Sequence, residues 1–170
     1  MPNEATQPFP AQSHDHGSCV DRAMARARQT CLEKQIKLTP LRESILRQIA
    51  ASHHPVGAYD IIERLGREGR RLAPISVYRI IDLFLDAGLI HRVESRNAFF
   101  ICSGRHETAS AAVVLLCEDC GRVAETEVPE AWGAIARATA ADRFIVKDTV
   151  LEVKGICADC NAGSGGRARC

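Results

Sequence analysis

Residues 74–102 read PISVYRIIDLFLDAGLIHRVESRNAFFIC, and the architecture turns on them. Pro74 suits the first position of a helix, where its missing N–H is not needed. Val77, Ile80, Ile81, Phe84 and Leu85 then fall at i, i+3, i+4, i+7 and i+8, a continuous apolar stripe of helical period. Gly88 closes the helix. Residues 89–93 and 98–102 are strand-like runs on either side of Glu94-Ser95-Arg96-Asn97, the pattern of a hairpin.

Upstream, the chain reads as further short helices. Thr39 caps and Pro40 opens one that turns Leu41, Ile45, Leu46 and Ile49 inward and stops near His53-His54-Pro55. Another begins after Val56-Gly57, buries Ile61, Ile62 and Leu65, and ends among Arg64, Arg67, Arg70 and Arg71. Val20, Met24, Ala27 and Cys31 recur at helical spacing over about 18–36, with Cys31 acting as a small buried hydrophobe. Residues 1–17 are polar and read as a flexible arm, in which His14-Asp15-His16 is a solvated tail rather than a weak metal site. Helices followed by a hairpin predict a winged helix-turn-helix domain over 18–102.

Downstream the pattern changes. Strands are expected at 111–116 and 123–128, a helix from Pro129 to about Ala141, and a strand over 144–156. The expected class is therefore α+β: a winged-helix domain, then a small α/β domain over 103–160, then a Gly/Arg-rich flexible tail over 161–170.

Composition narrows the function. The 170 residues are 46% hydrophobic and 25% charged, which suits a globular chain. No uninterrupted apolar run approaches the roughly 20 residues of a bilayer span. Met1-Pro-Asn-Glu-Ala-Thr-Gln has neither a basic nor an apolar region, so no secretory signal and a reducing cytoplasm are expected. There, eight cysteines point to metal or redox chemistry rather than a disulfide framework. The net charge of +1 hides a division. Residues 18–100 hold 14 Lys+Arg against 9 Asp+Glu, while residues 101–170 hold 8 against 10. A basic first half precedes a mildly acidic second half.

Cys117-x-x-Cys120 and Cys157-x-x-Cys160 carry the strongest chemical signal. Two residues between thiols let both sulfurs reach one ion, and two pairs complete a tetrahedral four-thiolate site, for which zinc is the natural occupant. Such a site is structural, stapling distant strands and adding to folding stability. A redox dithiol is the competing reading. Enzyme motifs fail: His106-Glu107-Thr108-Ala109-Ser110 lacks the second His of a zinc-protease helix, and neither C-x-x-C has the Pro of a zinc deaminase. No nucleophile elbow, P-loop or dinucleotide fingerprint occurs, so the chain is not expected to be an enzyme.

Leu38-Thr39-Pro40-x-Arg42, Ala58-Tyr59-Asp60, Ser76-Val77-Tyr78-Arg79 and the two cysteine pairs together resemble the ferric uptake regulator family. His91-Arg92-Val93-Glu94-Ser95-x-Asn97 and Cys102 are similar to its zinc uptake regulator branch, and the resemblance covers about residues 18–160. It implies a homodimeric, zinc-dependent repressor of zinc-acquisition genes that binds palindromic, often A·T-rich operator DNA. It implies no membrane partner and no small-molecule substrate beyond the metal ion.

On the DNA side, the N-terminal residues of a recognition helix enter the major groove. Ser76, Tyr78 and Arg79 lie off the apolar stripe and are the base-reading candidates, with Arg71 and Arg96 as phosphate contacts. A solvated Arg79–Asp82 pair is the bland alternative. The resemblance further implies a second, regulatory zinc per chain, held by His91, Cys102, a loop His and the Glu that follows the first cysteine pair, Glu125. The family's loop His falls on Ser110 here, so His106 is the expected ligand, with Glu107 or a water as substitute. Asp148 stands where the iron-type branch tends to carry a His, and a thiolate ligand favours zinc over iron(II) or manganese. Two other readings stay open: the same architecture sensing iron(II) or manganese, and a structural zinc module that binds another protein.

Overall fold

Four helices and a hairpin make up the first half of the computed structural model, and a three-stranded sheet organises the second. Residues 9, 15–103, 112–146 and 149–163 are described, in two compact units, one within Ser13–Gly104 and the other within Met1–Gln12 and Arg105–Cys170.

The first unit runs α1 (His16–Glu33), α2 (Pro40–Ala50), α3 (Ala58–Arg67), α4 (Pro74–Asp86), β1 (Ile90–Val93), a 3-10 turn (Glu94–Arg96) and β2 (Ala98–Ile101). Local chemistry sets the boundaries. The Thr39 side chain accepts the Arg42 N–H to start α2, and Asp60 accepts the Gly57 N–H to start α3. Gly88, at φ +69°, ends α4, with its own N–H on the Leu85 carbonyl and the Leu89 N–H on the Phe84 carbonyl. Asn97 takes the left-handed conformation (φ 46°) that turns the chain from β1 into β2.

The stripe on α4 is the centre of this unit. Val77, Ile81 and Phe84 are fully buried against Met24, Ile45, Leu46, Ile49, Ile61, Leu65 and Ile90, while Ile80 and Leu85 pack at the edge. Val56 exchanges two backbone hydrogen bonds with Phe99, of 2.8 and 2.9 Å, which ties the segment after α2 to the hairpin. Cys31 is buried on α1, as its spacing predicts. One difference lies at the other end of α1. The helix starts at His16, inside the segment read as a flexible arm, because Asp15 caps it by accepting the Gly17 N–H at 3.0 Å.

The second unit runs β3 (Ala112–Cys117), β4 (Val123–Glu127), α5 (Pro129–Ala141), β5 (Leu151–Gly155) and α6 (Ala158–Gly163). The strand order is β4-β3-β5, with β3 antiparallel to β4 and parallel to β5. Parallel pairing needs a long crossover, and α5 lies within it. Among the described residues, Val113, Val114, Leu116, Val123 and Ala124 are the buried hydrocarbon side chains of the sheet, beside the buried Cys117 and Glu125. The last strand is shorter than the expected 144–156: Phe144 and Ile145, 65% and 81% exposed, lie outside it. Their apolar character mimics a strand that the register with β3 does not reach. Among the described residues, no helix is long and apolar enough to cross a membrane.

Candidate metal centre and nucleic-acid interface

Parallel pairing of β3 with β5 puts Cys117 opposite Gly155, so both cysteine pairs emerge at the same end of the sheet. Cys117 ends β3, and the turn that follows carries Cys120 and closes at Gly121 (φ +72°), whose N–H donates to the Cys117 carbonyl at 2.9 Å. Cys157 follows β5, and Cys160 rides on α6.

All four sulfurs lie within 4.8 Å of one another, and Cys120 Sγ is 3.8 Å from Cys157 Sγ. Zinc–sulfur bonds of about 2.3 Å at tetrahedral angles require edges of about 3.8 Å, so these residues fit a zinc ion. The sulfurs meet both within and between the two C-x-x-C motifs, so the four form one cluster rather than two separate dithiols, and none of the four is in a disulfide.

Electrostatics support thiolates here. Burial opposes ionisation of Cys117, but N–H groups of Cys120, Cys157 and Asp119, with the Cys120 thiol, outweigh it and bring that thiol down to about 6. For Cys120, burial is again opposed, chiefly by the Arg122 guanidinium, and the thiol falls below its ordinary value. Cys160 goes the other way, pushed up to about 12 by its contact with Cys157, by burial and by the other sulfurs. The metal-free cluster thus keeps protons that zinc would displace.

Arg122 is the residue that spacing did not reveal. It is only 7% exposed, and its guanidinium donates to Cys120 Sγ and Cys157 Sγ at 3.4 Å each and to Asp159 Oδ2 at 2.7 Å. Four thiolates on a divalent ion leave two negative charges, which a buried guanidinium offsets while fixing two of the sulfurs. The only sequence signal is proximity, Arg122 two places beyond Cys120 and Asp159 within the second motif.

In the first unit, Ser76 and Arg79 are exposed on the opening turns of α4, with Arg71 exposed just before it and Arg96 exposed on the hairpin turn. Among the described residues no ion pair joins Arg79 to Asp82, whereas Arg67 pairs with Glu63 and Arg70 donates to Ser44. Tyr78 is half-buried against the core and meets Tyr59 edge-on, with ring centres 6.5 Å apart; Tyr59 itself is 68% exposed.

His91 sits on β1 opposite Phe100, and Cys102 follows β2 with its N–H on the Leu89 carbonyl at 3.0 Å. Their ligand atoms lie within 4.8 Å of each other, at the open end of the hairpin. Glu125 is buried on β4 of the second unit, at 7% exposure. His106, Glu107 and Asp148 fall outside the described residues.

These features define a winged-helix unit joined in one chain to a sheet that carries a four-thiolate centre. The ferric uptake regulator family matches residues 33–154, and the chain belongs to that family. The zinc uptake regulation proteins of Escherichia coli (strain K12) and Shigella flexneri are each 31% identical to it over 138 residues, covering 81% of this chain and 80% of theirs. A solved zinc uptake regulator complexed with zinc and DNA superposes with a TM-score of 0.79 at 26% identity, covering 86% of this chain and 98% of that one. Holo XcZur gives 0.73 at 32% identity, covering 84% and 99%.

Proposed function

We propose that this chain is a cytoplasmic, zinc-responsive transcriptional repressor of zinc-acquisition genes, which binds palindromic operator DNA as a homodimer when its regulatory zinc is present. The likeness to zinc uptake regulators, one of them solved with zinc and DNA, supports this reading. One observation carries it. His91 and Cys102 bring an imidazole nitrogen and a thiol within 4.8 Å of each other on the same hairpin that follows the reading helix α4.

The regulatory set is His91, Cys102, His106 and Glu125, and the structural set is the four-cysteine cluster, one zinc each per chain. Zinc, when bound, supplies a cross-link among side chains that come from both halves of the chain. His91 and Cys102 are the anchor on the hairpin, beside the pairing of Ile90 with Ile101 that closes its open end. Binding that favours one arrangement of the reading heads shifts the population toward it, and half-site spacing makes the arrangement matter. Arg79, Ser76 and Tyr78 face the DNA from α4, with Arg79 reading a base edge, and Arg71 and Arg96 contact phosphates. The exposed apolar side chains Val150, Val153 and Ile156 on and beside β5 supply surface for the homodimer.

The test is a mobility shift on A·T-rich palindromic DNA with added zinc and with chelator. Wild type should bind only with zinc, and binding should weaken steeply as salt rises. Cys102→Ser should keep the four-cysteine zinc and the dimer but lose the zinc-dependent shift. Full zinc-dependent binding by Cys102→Ser would remove this residue from the sensor, and a shift driven by iron(II) or manganese alone would replace zinc as the signal.

A further inference from the structure

A further group of metal-ligating side chains lies wholly within the helical unit and shares no residue with either set above. His16 and Cys19 stand on the first turn of α1, and His53 stands in the loop after α2. Their ligand atoms all lie within 4.8 Å of one another. His16 Nδ1 faces His53 Nε2 at 3.2 Å, with ring centres 4.6 Å apart and the rings at 67°. From these observations we infer that His16, Cys19 and His53 form a third zinc site, which pins the start of α1 to the loop after α2.

Three features support it. Zinc–nitrogen bonds of about 2.0–2.1 Å at a tetrahedral angle place two nitrogens about 3.3 Å apart, the spacing of this imidazole pair. The i, i+3 positions of His16 and Cys19 put both on one helix face, and Asp15 fixes that turn by accepting from Gly17 N and Ser18 Oγ. Arg22 Nη2 lies 3.5 Å from Cys19 Sγ and can go on donating to the sulfur once it is a thiolate. The neighbouring polar groups are otherwise committed: His54 Nδ1 to Ser52 Oγ at 3.0 Å, and Asp15 to the helix cap.

The proton balance is simple. The hydrogen bond between the imidazoles is replaced by two nitrogen–zinc bonds, with the shared proton moving to the far nitrogen of its own ring. The Cys19 thiol proton leaves to solvent, so one proton is released per zinc bound. Three protein ligands leave the fourth position to water. The positive end of the α1 dipole opposes a cation at this turn, and the Asp15 carboxylate counters it. With one thiolate instead of four, this site fills after the four-cysteine cluster, at higher free zinc.

The inference does not depend on the regulatory set, and its test separates the two. Full-length protein in buffers of graded free zinc is alkylated with iodoacetamide, and each cysteine is quantified by peptide mapping. Cys19 in the wild type should become protected, at least tenfold in rate, as zinc rises, and later than Cys117 or Cys157. His53→Ala should abolish protection at Cys19 while leaving protection at Cys102 intact. The same variant and Cys19→Ser should each bind one zinc fewer per chain than the wild type. His53→Ala loses the imidazole contact even without metal, so unfolding temperatures are compared with and without zinc: zinc should raise that of the wild type more than that of either variant, and an equal rise in all three overturns the site. An alkylation rate at Cys19 that ignores zinc in the wild type overturns it without recourse to any variant.

Discussion

Arg122 shows how much one side chain contributes at the metal centre. Its guanidinium bonds two of the four sulfurs and Asp159 from a buried position. Replacing it by Met keeps most of the volume but removes those donors, and loss of such an outer partner costs roughly 10–100-fold in metal affinity. Arg122→Met should therefore release zinc from the cysteine cluster to a competing chelator at about that reduced affinity, with zinc-responsive DNA binding weakened only through loss of fold. Protons compete at the same sulfurs. Cys117 ionises near 6 and Cys160 only near 12, so at neutral pH zinc displaces a proton from Cys160, and affinity falls as pH is lowered. Below about 6 the Cys117 thiol is protonated as well, and the decline steepens. Chelator competition repeated on either side of about pH 6 checks the sign. At the reading helix, Arg79→Ala should cost about 1–3 kcal/mol of operator binding while sparing affinity for random DNA, which parallel titrations on the two DNAs would measure.

At the level of elements, α4 is where sequence and structure agree most closely. Val77, Ile81 and Phe84 are buried as their spacing requires, and Gly88 ends the helix in the conformation that favours glycine. Gly88→Ala meets no atom within 4 Å, so its cost is conformational, about 1–2 kcal/mol, and should appear as a lower unfolding temperature of the helical unit. Phe84→Ala opens a cavity instead and should cost about 3–5 kcal/mol in a denaturant titration. The regular helices, the hairpin and the four-cysteine cluster were readable because each rests on a short-range rule: a 3.6-residue period, a cap, a C-x-x-C spacing. What escaped notice depends on tertiary neighbours. Tyr78 is half-buried because it packs against the core cluster that several helices build, and Arg122 is buried because β5 returns Cys157 and Asp159 to it. His16 looked like part of a tail because its partner, His53, is 37 residues away. The strand expected over 144–156 was too long because apolar content alone does not say where pairing with β3 begins.

Across the whole molecule, among the described residues, the helical unit buries a large continuous cluster, whereas the sheet unit buries a smaller set in which Cys117 and Cys157 take part. Small cores of that kind rely on metal for stability. Strong chelation should therefore collapse hydrogen-exchange protection in β3, β4 and β5 while the middle of α2, α3 and α4 stays protected, as peptide-resolved exchange would show; equal loss in both units would contradict the separation. The parallel pairing of β3 with β5 has a further effect on timing. Cys117 and Cys120 leave the ribosome well before Cys157 and Cys160, and neither pair alone offers more than two thiolates. Zinc is captured tightly only after the last strand has been synthesised and has docked beside the first. A chain terminated before Cys157, even one with an intact reading helix, would thus be left without its metal staple and open to proteases, so that the cell's stock of this regulator is restricted to copies translated through the second cysteine pair.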